Sequence, residues 1–61
     1  MFEVLFVVCM AAAPAECDEQ RLILGDISPT VCQRLAPAEL ARWMQNHPDL
    51  NIRRWRCQRV S

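Results

Sequence analysis

The chain has 61 residues, with seven arginines, seven acidic residues and no lysine, so its formal net charge is zero. A length of this order holds one small domain and excludes a multidomain enzyme or a long solenoid. A hydrophobic share of 52% against 23% charged residues argues against a disordered chain, and so short a chain usually needs a staple, a metal or a partner, with the four cysteines the first place to look.

The stretch from Phe2 to Ala13 is apolar except for Glu3. It is shorter than the roughly 20 residues of a membrane span. Ala11, Ala12, Ala13 and Ala15 offer the small residues of a signal cleavage site, but no positive charge precedes the run and Glu3 is negative. Cleavage would also remove Cys9 and leave three cysteines. The expected reading is a retained strand. The chain is then cytoplasmic if Met1 is kept, and periplasmic or secreted if residues 1–15 act as a signal. Neither Cys9 nor Cys17 follows a lipobox, and no membrane association is expected. In a reducing cytosol structural disulfides are uncommon, so compartment leaves the cysteines open as free thiols, metal ligands or bridges.

Val4 to Met10 reads as a strand with two apolar faces, Phe2, Val4, Phe6 and Val8 on one and Leu5, Val7 and Cys9 on the other. Such a strand belongs at the centre of a sheet. Ala11 to Glu16, with Pro14, reads as a turn, Asp18 to Leu24 as a second strand, and Gly25-Asp26 as its end. Ser28-Pro29 is a helix start, an oxygen-bearing cap followed by proline at the first helical position. On a helical wheel Cys32, Leu35, Ala36, Leu40, Trp43 and Met44 share one side, and Arg34, Ala38, Arg42 and Gln45 face away. Pro37 removes a backbone donor and crowds the carbonyl of Gln33, which predicts a kink or a break, with a second helix running on to about Asn46. His47-Pro48-Asp49 ends the helix, because a residue before proline avoids the helical region. Leu50 to Cys57 is a third strand, arginine-rich and therefore expected at an edge.

The order defines a single α+β domain over residues 1–61, a small ββαβ unit. Its sheet has three strands, antiparallel or mixed, in the order 2-1-3, and one helix, kinked or broken near Pro37, covers one face. The uncovered face must meet solvent, a protein partner or a second copy. A homodimer through this open sheet face is the expected answer.

That layout restricts the possible cysteine pairings. Cys9 and Cys17 lie at the top of the hairpin, and Cys32 and Cys57 at the bottom, which predicts the disulfides Cys9–Cys17 and Cys32–Cys57. In the loop-entropy model they stabilise the fold by about 2.5 and about 3.5 kcal/mol. A four-thiolate zinc site conflicts with this placement, and no C-x-x-C pair is present. A smaller metal set remains open at the top edge, Cys9, Cys17 and His47 with Asp49 nearby, but the plainer reading of His47 is an exposed residue at a helix C-terminus. Neither a metal nor a cofactor is expected. Cys32, near a helix N-terminus, has the setting of a lowered thiol pKa, yet the single histidine lies on the order of 20 Å away by helical rise, so the two form no catalytic dyad. With no paired carboxylates, phosphate loop or serine-based motif, no enzymatic activity is expected.

The zero net charge is the sum of unlike halves. Residues 1–26 carry one arginine and five acids, net −4, and residues 27–61 carry six arginines and two acids, net +4. Arg53, Arg54, Arg56 and Arg59 surround Trp55, a composition that suits phosphate pairing and base stacking. Alternation sets Arg54 and Arg56 opposite Arg53, Trp55 and Cys57, which splits the patch and weakens a nucleic-acid reading. A solvated or self-pairing charged face is expected instead, the acidic half of one molecule meeting the basic half of another. Trp43, between Leu40 and Met44, is expected in the core.

Trp43-x-x-x-His47-Pro48 followed by Ile52-Arg53-Arg54-Trp55-Arg56-Cys57 resembles the W-x3-HP…RWRC close of a group of small bacterial proteins of unassigned function, which also end an N-terminal strand in a cysteine. The resemblance implies a chain that begins at Met1 and carries over no activity, cofactor or catalytic residue. The leading reading is therefore a disulfide-stapled structural or protein-interaction module that self-associates. The alternatives are a nucleic-acid accessory protein using Arg53 to Arg59, and a thiol redox or metal-binding protein.

Overall fold

β-Branched and aromatic residues dominate the N-terminal stretch, and Phe2–Met10 forms strand β1 in the computed structural model, which describes residues 1–60. The turn after it is closed by backbone bonds from Ala13 N–H to the Met10 carbonyl and from Glu16 N–H to the Ala13 carbonyl. Strand β2 runs over Cys17–Gly25, helix α1 over Pro29–Gln45 and strand β3 over Leu50–Arg59. Gly25 closes β2 at φ +119°, a conformation that strains any residue with a Cβ.

The sheet order is β2-β1-β3, and both pairings are antiparallel. The fold is thus a small α+β domain with β1 at its centre. Phe2, Val4, Phe6 and Val8 face the helix and form the core with Cys32, Ala36 and Leu40 of α1. Ala36 is fully buried, and its small side chain lets the helix come close to the sheet. Phe6 and Trp43 meet edge to face, ring centroids 5.0 Å apart, an arrangement the aromatic quadrupole favours.

Ser28 caps the helix with its hydroxyl, which accepts the Val31 N–H at 3.2 Å, and proline follows at the start of the first turn. Of the kink or break expected at Pro37, the break does not occur. One helix runs unbroken from Pro29 to Gln45 with Pro37 inside it and Asn46 as its C-cap. The physical reason is position: Pro37 and Gln33 are both exposed, so water can answer the Gln33 carbonyl that proline leaves without a donor. The buried stripe is also narrower than the wheel suggests. Leu35 is exposed, because the contact with the sheet runs through positions 32, 36 and 40 and reaches only to the flank of Trp43.

The two pairings of β1 each contain an irregularity, between Phe2 and Glu3 on the β2 side and between Val7 and Val8 on the β3 side. The second is a bulge in β3. Val7 pairs with Arg54 and Val8 with Ile52, so Arg53 is the extra, unpaired residue.

Candidate interaction surface

Side chains directly paired across a sheet share a face, so the register assigns the open face. Across it run the rows Glu19–Val7–Arg54, Arg21–Leu5–Arg56 and Ile23–Glu3–Gln58. The apolar residues of β1 on this side are not bare. Leu5 is buried and Val7 half-buried, with the long side chains of the flanking strands standing on either side of them. A shallow groove of about 320 Å³ remains, its floor formed by Leu5 and Val7, with Glu19 on one bank and Arg54 and Arg56 on the other.

Glu3 is the residue that sequence reasoning missed. Its negative charge counts there only against a signal peptide, yet in the structure it is buried in the row between Ile23 and Gln58. Gln58 Nε2 donates to its Oε2, and Arg21 Nη1 stands 3.9 Å from its Oε1, which has no hydrogen-bond partner among the described residues. The available signal was its place on the Leu5 face of a central strand.

The bulge redistributes the arginines. Alternation without it sets Arg53 beside Trp55 and Cys57. In the structure Ile52 and Trp55, three residues apart, both pack on the core side, and Arg53 is the residue the bulge absorbs. Arg54 and Arg56 remain together on the open face with Arg21 from β2. Arg59 lies on the other side, its guanidinium carbon 5.4 Å from the Phe2 ring centroid. Trp55 packs against the core, so the sheet separates the aromatic ring from Arg54 and Arg56.

The cysteines form two disulfides, Cys9–Cys17 and Cys32–Cys57. The first joins directly opposed residues of β1 and β2, with Cα atoms 4.0 Å apart, the close-spaced kind of antiparallel pair. The second ties the buried Cys32 of the helix to β3, with Cα atoms 6.3 Å apart. Cys9 and Cys17 are therefore bonded to each other rather than held as thiolates beside His47. The His47 ring stacks on Trp43 at 3.8 Å, and its Nδ1 donates to the Trp43 carbonyl at 2.9 Å. Trp43, His47, Trp55 and Cys57, the residues that carry the motif resemblance, thus cap the helix, fill the core and close a bridge. Among the described residues no helix is long and apolar enough to cross a membrane. Compared with family models, curated proteins and solved structures, the chain finds no match.

Proposed function

We propose that this small disulfide-stapled module binds protein rather than catalysing a reaction, and that its partner is a second copy of itself. The observation that carries this reading is the one-sided sheet. A single helix covers one face of three strands, each nine or ten residues long, while the other face and the outer edges carry no further layer among the described residues. The charge pattern permits a like partner, because a net charge of zero leaves two copies without overall repulsion. A binding role agrees with the use made of His47, whose ring is committed to Trp43, and of all four cysteines, which are committed to bridges.

Sedimentation equilibrium of the oxidised protein over a wide concentration range tests the reading. A concentration-dependent rise from monomer to dimer mass supports it. A monomer mass at every concentration, up to near-millimolar, removes it.

A further inference from the structure

The two outer strands differ as docking edges. In β3 the ladder is interrupted by the Arg53 bulge and crowded by charge, with Arg53, Arg54 and Arg56 in four successive positions, features that deter strand addition. The helix packs chiefly on β3 and β1, and β2 reaches the core through Leu22 and Leu24. Strand β2 is charged as well, at Asp18, Glu19 and Arg21, but with both signs, which can pair across a two-fold, and its one irregularity lies at its far end, at Leu24. From Cys17 to Ile23 its pairing with β1 is regular, it contains no proline, and Ile23 is 54% exposed.

The register states which backbone groups of β2 are free. Cys9 and Cys17 form a close-spaced pair, a type in which neither residue bonds its opposite. The neighbouring Met10 N–H donates to the Glu16 carbonyl, as the alternation demands. Hence Asp18, Gln20 and Leu22 direct their N–H and C=O groups toward β1, and those of Cys17, Glu19, Arg21 and Ile23 point outward.

We infer that a second copy of this chain adds to the β2 edge, antiparallel, with the two-fold axis at Gln20, so that two three-stranded sheets join into one of six. This rests on the self-association reading above and names the surface and register that serve it. Antiparallel edge pairing of identical strands keeps both helices on the same side and pairs residues whose numbers have a fixed even sum. Centred on Gln20, it matches Glu19 with the second copy's Arg21, twice, and Cys17 with the second copy's Ile23, twice. All four of these residues have outward backbone groups, and the match spans the whole regular length of the strand. Centred one residue later, it sets Arg21 against Arg21, and one residue earlier Glu19 against Glu19, both like-charge pairs that destabilise a sheet. Stacking two open faces about an axis along β1 is less favourable. It lays Glu19 over the second copy's Arg54 but Arg21 over its Arg56, one attraction set against one repulsion.

Two variants test the edge. In Glu19→Pro the lost N–H is one that points away from β1, so the intramolecular ladder is intact while addition of a strand is blocked. Gln20→Cys places two thiols across the proposed axis in a close-spaced pair, the geometry that Cys9 and Cys17 already occupy. The expected results are a dimer for the wild type, a dimer dissociation constant raised about tenfold or more for Glu19→Pro with unchanged circular dichroism, and, for Gln20→Cys, a covalent dimer whose bridge non-reducing peptide mapping places between the two introduced thiols. A wild type that stays monomeric overturns the self-association reading and this one with it. A wild-type dimer that survives Glu19→Pro, with no bridge between the introduced thiols of Gln20→Cys, overturns the edge alone. If Glu19→Pro fails to fold, the Gln20→Cys mapping decides.

Discussion

A carboxylate at the centre of a sheet has to be answered by donors, and among the described residues Glu3 receives one side-chain hydrogen bond, from Gln58. Arg21 adds a positive charge at 3.9 Å from a position that is itself largely exposed, so its contribution is screened by water. Gln58→Ala leaves both oxygens of a buried group without a partner, a change that costs about 1–3 kcal/mol. Urea denaturation of the oxidised protein measures it, and an unchanged midpoint would show that water reaches Glu3. At the helix start, Ser28→Ala removes the acceptor of the Val31 N–H and costs about 1 kcal/mol, read in the same experiment. The two residues differ in how openly the sequence displays them. Ser28 is plain beside Pro29, because a cap is a local device. Glu3 is not, because its partner Gln58 lies near the other end of the chain and meets it only through the pairing of β1 with β3.

Elements show the same division. The strands, the helix and their order follow from apolar periodicity and from punctuation at Pro14, Gly25 and Pro48. The central position of β1 follows from its two apolar faces. Pro37 does not break the helix, and the propensity argument overweighs that outcome because it counts the missing bond but not where the orphaned carbonyl points. Pro37→Ala restores that bond and raises stability by about 1–3 kcal/mol, up to the full cost of a mid-helix proline. Thermal unfolding checks this, and a loss of stability would mean that the surrounding packing has adapted to the ring. The bulge in β3 does leave a trace in the sequence. Leu50, Ile52, Trp55 and Cys57 are spaced two, three and two, and the odd step falls at the extra residue. Strict alternation overrides that trace and misplaces Arg53. The bridges also differ in weight. Removing Cys32–Cys57, which spans 25 residues, costs about 3.5 kcal/mol and opens the core, whereas removing Cys9–Cys17, which spans eight, costs about 2.5 kcal/mol. Paired Cys→Ala variants compared by chemical denaturation give the order, and equal losses would show that the core around Cys32 collapses to fill the space.

For the molecule as a whole, the arrangement explains how so short a chain sustains a core. β1 contributes Phe2, Val4, Phe6 and Val8 to one layer while Leu5 and Val7 are flanked by charged side chains from its neighbours, so a second layer is not required for burial. This part was not legible in the sequence, which shows the apolar residues of β1 but not the reach of arginine and glutamate stems beside them. Beside its open face, the molecule leaves the outward backbone of both outer strands unpaired among the described residues, and the proposed dimer uses that of β2.

Chain order bears on how the two bridges form wherever an oxidant acts on the chain as it is made. During synthesis β1 and β2 emerge one after the other, but β3 and Cys57 come last. A hairpin can therefore form, and Cys9 can oxidise with Cys17 across a short loop, while Cys32 still awaits its partner. Early closure of the small ring withdraws two of the four sulfurs from competition and leaves Cys32 a single correct choice when Cys57 arrives. Acid-trapped intermediates of oxidative refolding are expected to accumulate the Cys9–Cys17 species first. Chain order thus lowers the competition that Cys32 meets, because the short ring can close before Cys57 is made.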